Sequence, residues 1–421
     1  MTEADIVVTG IAELATPTDP APRTGPDMGR VRVVPDAAVA AHRGRIVFAG
    51  PERELHQAVR VAPDAQAIDA CRGTVLPGFV DAHTHLPFAG WREQEFEQRL
   101  RGVTYSEIAA SGGGILSTVK ATRAADRSTL VAAVRARLDA MLRLGTTTVE
   151  AKSGYGLSLD AERKQLSALA EAGADHAVEV VPTFLGAHTV PPEYRGRREE
   201  YVRLLVEHVV PQVARDGLAR YADAFVDEHA FTLDEARRVL AAARDHGLGV
   251  RLHADQMADD GAAALAAELG AASADHLEFA SDAGLAALAR AGTCGVLLPG
   301  ATFFLMMDVR PPGRRLVEAG VPVAVATDFN PGTCPCESMG TALWLACLYA
   351  GLSVDEAITA TTLNAAHALG RAGTTGSIEV GKRADLVVHD VPNRYHLVYR
   401  FGVSHVGKVI AGGRLAYDGT A

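Results

Sequence analysis

Pro77-Gly78-Phe79-Val80-Asp81-Ala82-His83-Thr84-His85 ends an apolar, β-branched run and sets two histidines two residues apart. Alternate side chains of a strand share a face, so His83 and His85 point the same way and can grip one metal ion together. An H-x-H pair also occurs on solvated hairpins that bind nothing. The rest of the chain decides between the two readings.

Moving outward, the same pattern recurs. Short apolar runs at 75–81, 146–151, 177–185, 221–227, 250–253, 274–279, 295–298 and 323–327 alternate with longer stretches of Ala, Leu, Arg and Glu at helical period. Residues 128–144, 233–246 and 261–269 are the clearest helices, and Thr232-Leu233-Asp234-Glu235 has the form of a capping box. Eight strand-then-helix units predict an α/β fold, a closed (β/α)8 TIM barrel spanning residues 75–371. Residues 1–74 and 372–421 instead hold short alternating runs, such as 30–34 and 45–50. These two ends are predicted to pair into one small β-sandwich beside the barrel, with the Pro/Thr/Asp-rich segment 16–27 as a loop.

The chain has 421 residues, 48% of them hydrophobic and 22% charged, which suits one large domain plus a smaller one. A formal charge of -10 argues against nucleic acid or an anionic membrane as partner, since neither is drawn to a net acidic surface. Met1-Thr2-Glu3-Ala4-Asp5 lacks the basic start and apolar run of a signal peptide, and no stretch approaches the roughly 18 apolar residues of a membrane span. A cytoplasmic protein is expected. The five cysteines, Cys71, Cys294, Cys334, Cys336 and Cys347, are odd in number and sparse, which fits reduced structural thiols; Cys334-Pro335-Cys336 is too closely spaced for a C-x-x-C unit.

Barrel enzymes assemble their sites at the C-terminal ends of the strands, so the polar residues there are the test. Strand one ends in His83 and His85, strand three in His188, strand five in His253, Asp255 and Gln256, strand six in Asp275 and His276, strand eight in Asp328 and Asn330. Taken singly, a strand-end histidine is as often a hydrogen-bonded core residue, and Asp328 can simply cap a turn. Together on one rim they read as a site. Three imidazoles and one carboxylate suit one divalent ion, zinc or iron.

This pattern resembles the amidohydrolase superfamily, whose members carry H-x-H on strand one, histidines on strands five and six, and an aspartate on strand eight. The resemblance covers nearly the whole chain. Two-metal members use a bridging carboxylated lysine, typically after strand four, where this chain reads Asp227-Glu228-His229; Lys152 follows strand two instead, which favours one metal. Phe88-Ala89-Gly90-Trp91-Arg92 with Glu95-Phe96, Gly112-Gly113-Gly114-Ile115, Lys152-Ser153-Gly154-Tyr155-Gly156, Phe184-Leu185-Gly186-Ala187-His188 and Asp328-Phe329-Asn330-Pro331-Gly332 resemble the branch that opens an imidazolone ring in histidine degradation. That resemblance implies hydrolysis of the cyclic amide of 4-imidazolone-5-propanoate to N-formimidoyl-L-glutamate by a metal-activated water.

It further implies that His83, His85, His253 and Asp328 hold the metal, that Arg92 and Tyr155 meet the charged and ring ends of the substrate, and that His188 polarises the ring carbonyl. Asn330, Gly332 and Thr333 would contact the carboxylate product. An anionic propionate approaching an acidic chain needs a fixed cation, and Arg offers a bidentate fork; the bland reading of Arg92 is an ion pair with Glu93 or Glu95. His276 and Asp328 are the candidates for moving the proton, because Gln256 stands where some relatives carry a glutamate, and an amide can orient a ring nitrogen but not shuttle a proton. Trp91, where many relatives are acidic, is a second departure. A homodimer is expected from the family.

Two further motifs carry less. Ser111-Gly112-Gly113-Gly114 lacks the G-x-x-x-x-G-K-[ST] spacing of a phosphate loop and reads as a loop over the site mouth. Asn364-Ala365-Ala366-His367-Ala368-Leu369-Gly370 reads as the end of the last barrel helix, with His367 structural. The competing functions are another one-metal amidohydrolase, such as a deaminase or other cyclic amidase, and a non-catalytic scaffold; retention of all four candidate ligands speaks against the scaffold.

Overall fold

The computed structural model describes residues 2–103, 107–108 and 112–419; Met1 and Ser111 lie outside them. The first strands, β1 (Thr2–Pro17), β2 (Val31–His42), β3 (Arg45–Pro51), β4 (Val59–Asp69) and β5 (Thr74–Pro77), belong to one sheet. Eight parallel strands follow: β6 (Phe79–Asp81), β7 (Thr146–Lys152), β8 (Glu179–Ala187), β9 (Tyr221–Ala224), β10 (Gly249–Ala254), β11 (Ser273–His276), β12 (Cys294–Leu297) and β13 (Val323–Val325). The chain then returns to the first sheet with β14 (Leu386–His389), β15 (Val406–Ala411) and β16 (Arg414–Asp418).

Strands β6 to β13 lie side by side in chain order, as a (β/α)8 barrel requires. Closure between β6 and β13 is made by residues just past each strand. Thr84 and Phe329 form a parallel bridge, the amide of His85 donates to the Phe329 carbonyl at 2.9 Å, and the amide of Asp328 donates to the His83 carbonyl at 3.1 Å. One turn earlier Asp81 accepts from the Thr327 amide (3.0 Å) and hydroxyl (2.6 Å). The seam that closes the barrel is therefore also the seam that holds the rim residues of strands one and eight.

The predicted strand at 75–81 divides at Gly78. Its first half pairs with β1 and β14 in the end sheet and its second half opens the barrel. A β-carbon at 78 would run into the Thr147 side chain, so only glycine lets the chain pass this closely from one sheet to the other. The two chain ends pair as expected, in one continuous eight-stranded sheet of order β16-β15-β14-β5-β1-β2-β3 with β4 beside β1. Ile6, Ile11 and Leu14 from the start and Leu386, Val388 and Ile410 from the end share one buried cluster. Burying each such side chain is worth about 1.5–3 kcal/mol, so the C-terminal end gains this shared core only against the N-terminal strands.

The helices have sequence-local causes. Arg127–Arg143 begins where the Asp126 carboxylate accepts from the Thr129 amide at 2.7 Å, and Leu363–Ala368 ends before Gly370 in the left-handed region at φ 64°. Leu233–Asp245 starts with the predicted capping box: Thr232 Oγ1 accepts from the Glu235 amide, and Glu235 Oε2 accepts from the Thr232 amide at 2.9 Å. Thr232→Ala is expected to cost about 0.5–2 kcal/mol, read as a lower urea midpoint at unchanged slope. All five cysteines are free, and among the described residues no helix is long and apolar enough to cross a membrane.

Candidate active site

His83, His85, His253, His276 and Asp328 converge inside the C-terminal rim, each at most 4% exposed. One ligand atom from each of His83, His85 and His253 lies within 4.8 Å of the others, and the same holds for His83, His276 and Asp328. Asp328 Oδ1 stands 3.5 Å from Nε2 of both His83 and His85. Behind the rings, His83 Nδ1 donates to Asp275 Oδ2 at 2.7 Å and His253 Nδ1 to Asp223 Oδ1 at 3.1 Å. A carboxylate only accepts, so the ring protons sit on Nδ1 and each Nε2 lone pair is left for the centre.

These residues fit a divalent cation. His83 Nε2 is buried with no hydrogen-bond partner, which a metal ion at the centre of the cluster satisfies. Burial, reinforced by Lys152 beside His83 and by His253 beside His85, holds both imidazoles well below their ordinary pKa, so they stay neutral and able to donate a lone pair. His276 and Asp328 carry φ of 82° and 56°, a left-handed conformation that is strained outside glycine; at Asp328 the closed barrel seam holds it, through the amide that donates to the His83 carbonyl. Of the residues following β9, Glu228 and His229 are exposed. Lys152 is fully buried, with its ammonium already surrounded by carboxylates.

The substrate-side residues group around this centre. His188 stacks on His85 with ring centroids 5.4 Å apart, and Tyr155 stands 5.4 Å from His188 and 5.9 Å from His85. His188 Nδ1 donates to the Gly154 carbonyl at 3.0 Å. A carbonyl only accepts, so the neutral ring presents Nε2 as an acceptor, and burial together with His85 and His253 opposes the imidazolium that polarising a carbonyl would need.

Arg92 does pair with Glu95, but not on the surface: Nε and Nη2 lie 2.8 Å from Glu95 Oε2, and the two side chains are 11% and 16% exposed. Glu95 Oε1 also accepts from the Gly114 amide at 3.0 Å and the Ser117 hydroxyl at 3.2 Å, tying the arginine to the glycine-rich segment. The guanidinium lies against Gly332, four residues beyond Asp328, where a β-carbon would collide with it. Asn330 is spent within its own loop: its Oδ1 accepts from the amides of Gly332 (2.9 Å) and Thr333 (2.7 Å), and its Nδ2 donates to the Asp328 carbonyl at 2.7 Å. Gln256 is half-buried just beyond β10, with no hydrogen bond from its amide among the described residues. Trp91 packs edge-on against Phe88 (5.1 Å) beside Arg137, leaving the Arg92 fork to Glu95.

Sequence reading missed Glu278, Asp223 and the job of Glu95. Glu278 is 4% exposed, accepts from the Thr302 hydroxyl at 2.8 Å and lies 3.8 Å from His276 Nδ1; burial pushes its carboxyl up to about 7. Strand periodicity does not reach it, because His276 and Leu277 both turn left-handed and break the alternation.

A parallel barrel whose rim gathers histidines, an aspartate and a fixed guanidinium fits a hydrolase that uses a divalent metal ion. The model of the amidohydrolase family matches residues 74–416. Imidazolonepropionase of Symbiobacterium thermophilum is 52% identical over 99% of this chain and 98% of its own length, and that of Geobacillus kaustophilus 49% over 94% of each. The chain belongs to the amidohydrolase family, and within it to the imidazolonepropionases. Among solved structures, an adenosine deaminase from Xanthomonas campestris with bound zinc superposes with TM-score 0.68 at 21% identity, covering 98% of this chain and 93% of its own. A triazine hydrolase variant reaches 0.74 at 19%, covering 98% and 94%. At such identities these two share the fold.

Proposed function

We propose that the protein hydrolyses the cyclic amide of 4-imidazolone-5-propanoate to N-formimidoyl-L-glutamate in histidine degradation. One observation carries the reading: the Arg92 guanidinium, gripped by Glu95 through Nε and Nη2, turns Nη1 against the loop that follows Asp328, so a fixed cationic edge for a carboxylate stands beside a cluster that fits a metal ion. His83, His85, His253 and Asp328 would hold one zinc or iron ion. Such an ion lowers the pKa of water to about 7 and polarises an amide carbonyl.

The chain's own residues do the rest. Arg92, held by Glu95, pairs with the propionate; His188 Nε2 accepts a ring N–H; and the Gln256 amide and the Tyr155 ring hold the heterocycle in plane. Water adds to the carbonyl carbon, the ring C–N bond breaks, and the departing nitrogen needs a proton. Burial raises the Asp328 carboxyl above its usual range, which suits Oδ2 to take the proton from water and return it to that nitrogen. His276, pushed down to about 3 chiefly by burial, stays neutral beside it, so it is not the group that carries the proton. Thr333, whose hydroxyl and amide brace Asn330, and the Gly332 backbone shape the carboxylate end.

Incubating metal-loaded protein with the imidazolone and weighing the product tests this: formimidoylglutamate supports it, whereas ammonia release would make the enzyme a deaminase. Gly332→Ala is expected to displace the Arg92 fork and raise KM about tenfold with kcat within a few-fold, since that contact is made equally in ground and transition states. The reading includes a cytoplasmic homodimer. Free cysteines support the compartment, and the exposed Tyr399, Phe401 and Val403 offer an apolar contact face that light scattering can test.

A further inference from the structure

Beneath the rim lies a layer of fully buried charge. Glu150 and Lys152 share the inward face of β7, Asp223 projects from β9, Arg251 from β10 and Asp275 from β11, all 0% exposed. Lys152 Nζ lies 2.9 Å from Glu150 Oε1, 2.9 Å from Asp223 Oδ2 and 3.8 Å from Asp275 Oδ2. Asp223 and Asp275 are the two carboxylates that receive the Nδ1 protons of His253 and His83. A single ammonium thus touches the partners of two histidines contributed by opposite parts of the barrel.

We propose that Lys152 is a positioning residue of the metal centre: by standing between Asp223 and Asp275 it holds both carboxylates against His253 and His83 and so aims the two Nε2 atoms at one point. The inference rests on the metal-site reading given above. Two buried carboxylates facing one another repel strongly in a low-dielectric interior unless a cation sits between them. Arg251 cannot replace it. Its Nη2 reaches Asp275 at 3.3 Å, but its other hydrogen bonds go to the carbonyls of Ala82 (2.8 Å) and Ala368 (3.0 Å), and among the described residues it makes no hydrogen bond or ion pair with Asp223, which it feels only at a distance. Glu150 contributes at a distance: its Oε2 accepts from the Thr84 amide at 3.2 Å and its carbonyl from the Thr84 hydroxyl at 2.6 Å, so it fixes the residue between His83 and His85.

The competing role is plain charge balance, with Lys152 present only to neutralise Glu150. Lys152→Met and the charge-balanced pair Lys152→Met/Glu150→Gln separate the two. Zinc-loaded wild type and both variants are compared by metal content and by the rate at which a chelator strips the ion, with circular dichroism and urea unfolding reporting the fold. The double variant keeps the layer's net charge, so it reads the proposal even where the single variant fails to fold. A folded double variant that loses zinc about 10–100-fold faster supports positioning, the range found when partners behind metal-ligating histidines are removed. Unchanged zinc release overturns it, as does a double variant that cannot fold while Lys152→Met does. A wild type that takes up no zinc or iron overturns the metal-site reading itself, a separate failure.

Discussion

His253→Ala is expected to abolish turnover, lowering kcat/KM by about ten-thousand-fold or more, and to drop bound metal from about one equivalent to a small fraction of one. His253 is the one ligand delivered by β10, its Nδ1 is pinned by Asp223, and its ligand atom lies within 4.8 Å of those of His83 and His85. Alanine removes that lone pair and also the ring N–H that Asp223 Oδ1 accepts, leaving the buried carboxylate with Lys152 and a backbone amide as partners. Metal analysis of the purified variant beside its rate gives the check. A variant that still holds a full equivalent of tightly bound ion would show that the centre is built elsewhere on the rim, with His276 the first residue to examine in its place.

Asp328→Asn is expected to act differently. The side chain keeps its shape, and the amide oxygen still faces Nε2 of His83 and His85, so the ion is retained, more weakly. What is lost is the group that takes a proton from water and returns it to the leaving nitrogen, and general acid–base catalysis of this kind is worth about 100-fold to 10,000-fold. The expected result is a fall of that size in kcat, KM within a few-fold and metal content well above that of His253→Ala. An unchanged kcat would assign the proton to another carboxyl. Glu278, pushed up to about 7 by burial and close behind His276, is then the residue to replace.

Local grammar accounts for much of what the structure contains. A parallel strand buried on both faces must read as a short apolar run, and a crossover helix must carry its own caps, so seven of the predicted strands lie within a few residues of those observed and the capping box at Thr232 is present. Rim residues are legible for the same reason: a polar group closing an apolar run has one place to go. The first strand divides at Gly78, because its single apolar run serves two sheets and the glycine's role depends on Thr147, far along the chain. Glu278 failed because periodicity ends where the backbone turns left-handed. The tautomer of His188 is not legible locally, since the Gly154 carbonyl that sets it lies 34 residues away in the chain.

By itself, the sequence determined the barrel, the pairing of its two ends and the identity of the residues that gather at the rim, because hydrophobic period, caps and strand-end polarity are properties of neighbouring residues. Only the tertiary structure decided what those residues can do. The protons on His83, His253 and His188, the enclosure of Arg92 by Glu95 and Gly332, and the place of Lys152 between two carboxylates are all set by contacts between strands and loops far apart in the chain. Hydrogen-bond direction and buried charge depend on the partner that closure brings opposite, and no local pattern encodes that partner.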